Sequence, residues 1–194
     1  MEIILASSSP RRRDLLSTLV ESFQVVLPRI DESVNDGELP AHYVERLAIS
    51  KAKHCMKEKT IVIAADTCVS IENEILGKPV NKDHARAMLQ RLSGRKHQVY
   101  TGLAILAPKH RNAITVMTTV QFSVLDDAVI EGYLNTDEPY DKAGAYGIQG
   151  IAGSFVSTVE GSYSSVVGLP LCEAREALQK CGAVMKVGGQ TGGH

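Results

Sequence analysis

Four cysteines and six histidines occur in the 194-residue chain, yet no C-x-x-C and no H-x-x-x-H pair is among them. The close ligand pairs of structural zinc sites are therefore missing, and any metal would have to be held by oxygen. Cys55, Cys68, Cys172 and Cys181 read instead as reduced, mostly buried thiols. Positive charge is not in surplus either: 21 Lys and Arg face 22 Asp and Glu, for a net charge of −1. A nucleic acid polymer, which needs a broad basic surface, is not an expected partner, and a nucleotide-like ligand would be small. No stretch reaches the roughly 20 apolar residues of a membrane span, and the first residues run into a strand rather than a signal peptide. No membrane partner is expected, and the location expected is cytoplasmic. G-x-x-x-x-G-K-[ST] and the kinase signatures are absent, which disfavours a P-loop transferase.

The residues that are present describe an ordinary soluble α/β protein, 44% apolar and 22% charged. No internal repeat or separating linker is visible. The expectation is one domain over residues 1–184 and a disordered, Gly-rich tail over 185–194. "IILA" reads as a buried strand, Ser9 as the N-cap of a helix opened by Pro10, and "FQVVLPRI" as a second strand. A helix follows over about 41–57, then the apolar strand "TIVIAADTCVSI", an "ENE" hairpin and "ILGKPV". "KDHARAMLQRLSG" is an amphipathic helix with Gly94 as its C-cap, followed by two long antiparallel strands joined by a "KHRN" turn. A helix and a Gly-rich loop come next. "SFVSTVEGSYSSVVGLP" reads as two short strands about a turn, and "LCEAREALQKCG" as the last helix. Early alternation of strands and helices with later antiparallel strands predicts a mixed-sheet α/β domain of two lobes about a cleft.

Several residues do not fit their local pattern. "ASSSPRRRDLL" concentrates hydroxyls and guanidinium groups where a strand hands over to a helix. Free N–H groups and the helix dipole favour an anion there, although a solvated basic helix start explains the same residues. Lys51 occupies a place where the apolar stripe Val44, Leu47, Ala48, Cys55 calls for a core residue, as a site lysine or as one snorkelling from the stripe's edge. Asp66 interrupts a strand buried on both faces, and a carboxylate near the carboxyl end of such a strand points into a crevice unless it is paired or capping. Lys78 precedes a proline and so lies in extended backbone. With Glu32, Glu138 and Asp141 these groups combine cations for phosphates with carboxylates for Mg²⁺, the kit of phosphoryl chemistry.

"LASSSPRRRDLL", "AADT", "LGKP", "RLSGRKHQVYTG", "DEPYDKAGAYGIQG" and "GSYSSVVGLP" resemble, in order and spacing, the motifs of the Maf family of nucleoside triphosphate pyrophosphatases, over residues 1 to about 180. The resemblance implies a fold like that of the inosine triphosphate pyrophosphatases: a mixed, largely antiparallel twisted sheet flanked by helices, with two lobes around a central cleft. It implies hydrolysis of a nucleoside triphosphate to the monophosphate and pyrophosphate with a divalent cation, Mg²⁺ or Mn²⁺. Asp66 would be the proton acceptor for water, and Ser7, Arg11, Arg12, Glu32, Lys51 and Lys78 would form the phosphate and metal site, with Glu32 and Asp66 toward the metal. Arg11, Thr67 and Gln149 match the Arg, Thr and Gln of the subgroup acting on dTTP and UTP, where a sister subgroup acting on 7-methyl-GTP has Trp, Gln and Glu. Other or modified pyrimidine nucleotides stay open as substrates. Ser8 and Ser164 depart from commoner residues without removing charge from the site. The family has also been linked to septum formation, so a non-catalytic nucleotide-binding regulator of cell division is the alternative, and the assembly state is open, a homodimer included.

Overall fold

The computed structural model describes residues 1–187. In chain order its elements are β1 (Glu2–Ala6), α1 (Pro10–Ser17), β2 (Gln24–Val26), α2 (Pro40–Cys55), β3 (Thr60–Ile71), β4 (Glu74–Leu76), α3 (Lys82–Leu92), β5 (Lys96–Ala107), β6 (His110–Phe122), α4 (Asp127–Leu134), β7 (Val156–Glu160), α5 (Tyr163–Val167) and α6 (Leu171–Lys180). Three short 3-10 turns, Glu138–Asp141, Ala143–Ala145 and Ile151–Phe155, lie between α4 and β7.

All seven strands join one sheet in the order β2-β1-β3-β5-β6-β7, with β4 paired to β3. The β1–β2 and β1–β3 pairs are parallel and the others antiparallel, which is the mixed, largely antiparallel sheet expected. Side chains alternate along β3 with period two. Ile61, Ile63 and Ala65 pack toward α1 and α6 with Leu16, Leu103 and Leu178, whereas Val62 and Ala64 pack toward α2 with Ala48 and Ala52. A third core, around Val69, Leu89, Phe122, Tyr133 and Tyr146, joins the far halves of β3, β5 and β6 to α3 and α4. These cores make up the two lobes.

The long central strands are shared between the lobes, and this sharing positions the site. β1 pairs with β3 over Thr60–Ile63, and β4 takes the same edge over Val69–Ile71. Between them the edge of β3 is unpaired, and Asp66 lies there, in the middle of its strand rather than at the carboxyl end that the sequence pointed to. The apolar run continues past Asp66 because β5 pairs the other edge without a break from Val62 to Ser70.

Gly102, opposite Asp66 in this ladder, is where α2 meets the sheet. A Cβ there would coincide with the Val44 carbonyl, so only glycine admits the helix at this depth. Gly102→Ala is expected to lower stability by about 1–3 kcal/mol, since overpacking at a close contact is relieved by displacing the helix. Urea unfolding checks this, and an unchanged midpoint would mean that α2 seats elsewhere.

Three local readings are corrected. The strand read in "FQVVLPRI" is only Gln24–Val26, because Pro28 cannot donate to a ladder. The second strand read in "GSYSSVVGLP" is the helix α5, started by Ser162, whose hydroxyl accepts the Ser165 N–H at 3.2 Å. The "KHRN" turn is tighter, with Ala107 paired to His110 around Pro108 and Lys109. Met185, expected in the tail, is buried, and the Lys186 N–H donates to the Leu19 carbonyl at 2.9 Å, so packed structure continues beyond 184. The rest of the expected tail, 188–194, lies outside the described residues.

Candidate active site

The unpaired edge of β3 opens into a cleft of about 730 Å³ between the lobes. Asp66 and Thr67 lie on its floor and, by the alternation of the strand, point to opposite faces of the sheet. On the α2 face the Lys51 ammonium donates to Asp66 Oδ1 at 2.6 Å and stands 3.0 Å from Glu32 Oε1. Lys51 is buried, with only 5% of its surface exposed, so it does not snorkel to the edge of its stripe. Its helix also ties down the loop that carries Glu32. The Tyr43 hydroxyl donates to the Glu32 carbonyl at 3.0 Å, and Arg46 donates to the Ser33 carbonyl at 2.9 Å and twice to Glu38 at 2.6 Å. The Arg46 hydrogen bonds hold the Glu38 carboxyl at a pKa of about 2. Burial, with the negative charge of Asp66 and Glu32 behind it, pushes the Tyr43 phenol up to about 12.

On the opposite face Arg12 is held along its whole guanidinium. Nε donates to the Gly168 carbonyl at 2.8 Å, Nη2 to Thr67 Oγ1 at 3.1 Å and Nη1 to Ser7 Oγ at 3.5 Å. Burial lowers the Arg12 pKa and the charge of Asp66 opposes it. Thr101 donates to the Ser165 carbonyl at 2.8 Å, so at the 3.0 Å contact between the two threonines it is Thr67 that donates. The Thr67 hydroxyl is thereby spent on receiving Arg12 and donating to Thr101. Ser9 caps α1 as expected, its hydroxyl accepting the Arg12 N–H at 3.4 Å.

The remaining wall comes from Lys78, exposed after β4, and from the 138–150 loop with Glu138, Asp141, Lys142 and Gln149. The Gly144 N–H donates to the Gly77 carbonyl at 3.1 Å and joins these two segments. The structure therefore gathers Arg11, Arg12, Glu32, Lys51, Asp66, Thr67, Lys78 and Gln149 about one cleft. Ser7 does not line it. Its buried hydroxyl accepts from the Ser9 N–H at 3.1 Å and backs Arg12, while Ser8 and Ser9 face the opening. Tyr43 and Thr101 carry no signal in the sequence, since a tyrosine on an amphipathic helix and a threonine in a strand break no local pattern. Cys68 also faces the cleft, but burial pushes its thiol up to about 12, which leaves it protonated and unfit as a nucleophile.

Glu32 and Asp66 already share a single cationic centre, the Lys51 ammonium, and no third His, Cys, Asp or Glu joins them as a metal-holding group among the described residues. Two carboxylates on the Lys51 ammonium, an Arg12 held by three hydrogen bonds, further cations at Arg11 and Lys78 and an open mouth can receive a phosphorylated small molecule. Among the described residues no helix is long and apolar enough to cross a membrane.

The chain is 46% identical over 194 residues to a dTTP/UTP pyrophosphatase of Shewanella oneidensis, covering 95% of this chain and 100% of the relative. It is 48% identical over 185 residues to a protein of the same name from Hahella chejuensis, covering 93% and 92% of the two chains. A third dTTP/UTP pyrophosphatase, from Clostridium botulinum, is 47% identical over 188 residues, covering 93% and 97%. The sequence model of the Maf-like proteins matches residues 2–181, a span that takes in both lobes and every wall of the cleft. With the motifs of the sequence assembled around one opening and the match running through nearly the whole chain, the protein belongs to the Maf-like family.

Proposed function

We propose that this protein hydrolyses dTTP and UTP to the nucleoside monophosphate and pyrophosphate, with Asp66 as the proton acceptor for the attacking water. The observation that carries the reading is the convergence of Asp66 and Glu32 on one cationic centre at the unpaired edge of β3, with Arg12 fixed beside it. Cleavage between the α and β phosphates needs a base near the water and positive charge along the phosphates. Lys51, Arg11, Arg12 and Lys78 supply that charge from three sides. Arg12 is aligned by Thr67, Ser7 and Gly168 before any ligand arrives, so little reorganisation is left for the reaction.

The donor set fits Mg²⁺ or Mn²⁺, since two carboxylates within 3.0 Å of one positive centre offer the hard oxygen ligands such a cation takes. Such an ion supplies charge neutralisation on the phosphates. Glu32 and Asp66 would hold it, with Lys51 beside them to meet the phosphates.

Base choice rests on Arg11, Thr67 and Gln149. Gln149 is exposed in the cleft wall with a carboxamide that both donates and accepts, a match for part of the uracil or thymine edge, where two carbonyl acceptors flank one N–H. Thr67 serves base choice through Arg12, to which its hydroxyl is committed. The test is pyrophosphate release from a nucleotide panel with Mg²⁺ or Mn²⁺. UTP and dTTP are expected to exceed purine triphosphates in kcat/KM by on the order of 10². Gln149→Glu, which sets a carboxylate against the pyrimidine carbonyls, should lower UTP and dTTP hydrolysis much more than that of other triphosphates. Faster turnover of GTP or 7-methyl-GTP would remove the pyrimidine reading, and binding without turnover would point to the nucleotide-binding regulator.

A further inference from the structure

By residue type Glu138 belongs with Glu32, Asp66 and Asp141, the acidic residues of a phosphate and metal site. Its carboxylate is engaged otherwise. Oε1 accepts the Tyr133 hydroxyl at 3.1 Å and the Ala152 N–H at 3.2 Å, and Oε2 accepts the Ile151 N–H at 2.8 Å. An ionised carboxylate with three donors is a strong anchor, and two of these donors are the backbone amides immediately after Gln149 and Gly150. The backbone lies directly on the anchor: a Cβ at Gly150 would coincide with the Glu138 carboxyl group. The near end of the same loop is tied as well. The Lys142 ammonium donates to the Glu138 carbonyl at 2.7 Å, the Lys142 stem packs against Gly147, and the Gly150 N–H donates to the Gly147 carbonyl at 3.1 Å. Gln149 thus projects into the cleft from a short arch clamped at both ends.

We propose that Glu138 is a specificity-determining positioning residue: by pinning the amides of Ile151 and Ala152 it sets where Gln149 meets the base. This rests on the reading that Gln149 recognises the pyrimidine edge. Glu138 touches neither the water nor the phosphates in this scheme. A polar pair misplaced by an ångström leaves buried groups unmatched and loses selectivity, whereas Asp66 and Lys51 stand on β3 and α2 and are not moved by the arch.

The experiment combines amide hydrogen exchange over residues 147–153 of the nucleotide-free protein with kcat/KM for UTP and GTP in Mg²⁺. Glu138→Gln, which keeps one oxygen acceptor but puts an NH2 that cannot accept where the other oxygen stood, is expected to speed exchange at one or both of Ile151 and Ala152 by about tenfold or more. The UTP to GTP ratio should fall by about tenfold or more, chiefly through KM for UTP. Gly150→Ala, which displaces the carboxyl group without removing it, should reproduce both changes. Glu138→Asp, charged but shorter, should fall between and supplies the readout if Glu138→Gln does not fold. Faster exchange with an unchanged ratio overturns the specificity role, and unchanged exchange overturns the pinning. A wild-type protein with no preference for UTP over GTP removes the pyrimidine reading itself, and the specificity role with it, which separates that failure from a failure of Glu138 alone.

Discussion

Asp66→Asn is expected to lower turnover of UTP by about 10²–10⁴-fold while triphosphate binding, measured without the divalent cation that Asp66 would help to hold, survives. Removal of a general base has this magnitude, and an amide of the same shape cannot take the proton from water. Binding survives because Arg12 is held by Gly168, Thr67 and Ser7, none of which depends on the Asp66 charge, and Lys51 keeps Glu32 at 3.0 Å. The floor also stays in place, since β5 pairs β3 on both sides of position 66. Pyrophosphate release gives the rate, and calorimetric titration with UTP gives the affinity of the inactive variant. Turnover close to that of the wild type would take the base role away from Asp66, whatever the binding.

Lys51→Met should produce two losses together, at least tenfold in kcat/KM and about 3 kcal/mol in stability. The kinetic loss follows from deleting a charge-assisted contact to the phosphates, worth about 1.5–3 kcal/mol. The stability loss follows from burial: the Lys51 and Asp66 side chains are only 7% and 10% exposed, so removing the ammonium strands a carboxylate on the cleft floor. Breaking a buried pair from one side costs about 3–5 kcal/mol, and the lower end applies because the Arg12 charge, although on the other face of the sheet, still acts on Asp66. The methionine retains the stem and packs in the stripe of α2, so the fold holds. The double variant Lys51→Met with Asp66→Asn should then be more stable than Lys51→Met alone, because the stranded charge has gone, and urea unfolding of the four members of this cycle measures the coupling. A stability loss with kcat/KM unchanged would make Lys51 a structural residue.

Much of the architecture was legible from local chemistry. Pro10 after Ser9, the apolar run of β3 and the amphipathic stripes of α2 and α3 mark their elements by periodicity and capping, and these are short-range effects. Lys51 and Asp66 could be found because each breaks the pattern of its own element. Tyr43 and Thr101 break none, and Gly102 interrupts its strand without showing what approaches it. Their importance arises only when α2 lies on β5 and when Thr101 meets Thr67 across a ladder, which are contacts between residues far apart in the chain. The misreading of α5 as a strand has a similar cause. The short "SSVV", with its two β-branched valines, satisfies a strand template, and the cap at Ser162 with the turn at Gly161, φ +128°, decided for a helix.

The sequence by itself determined the class of the protein: its lack of zinc spacing and basic surplus, its α/β order, its motifs, and the set of charges from which a polyphosphate site could be made. Tertiary structure decided which of those charges act on the ligand and which on each other. Glu138 carries the same carboxylate as Asp66, but three donors from Tyr133, Ile151 and Ala152 commit it to the loop, while Asp66 stands at the gap between β1 and β4 with Lys51 beside it. Ser7 and Ser8 are neighbours of one residue type, and the turn buries the first beneath Arg12 and opens the second to the cleft. The reason is general to charged and polar side chains. Their type and spacing are local, but whether a group is spent or free depends on the partners within about 3 Å of it, and those partners are supplied by the fold.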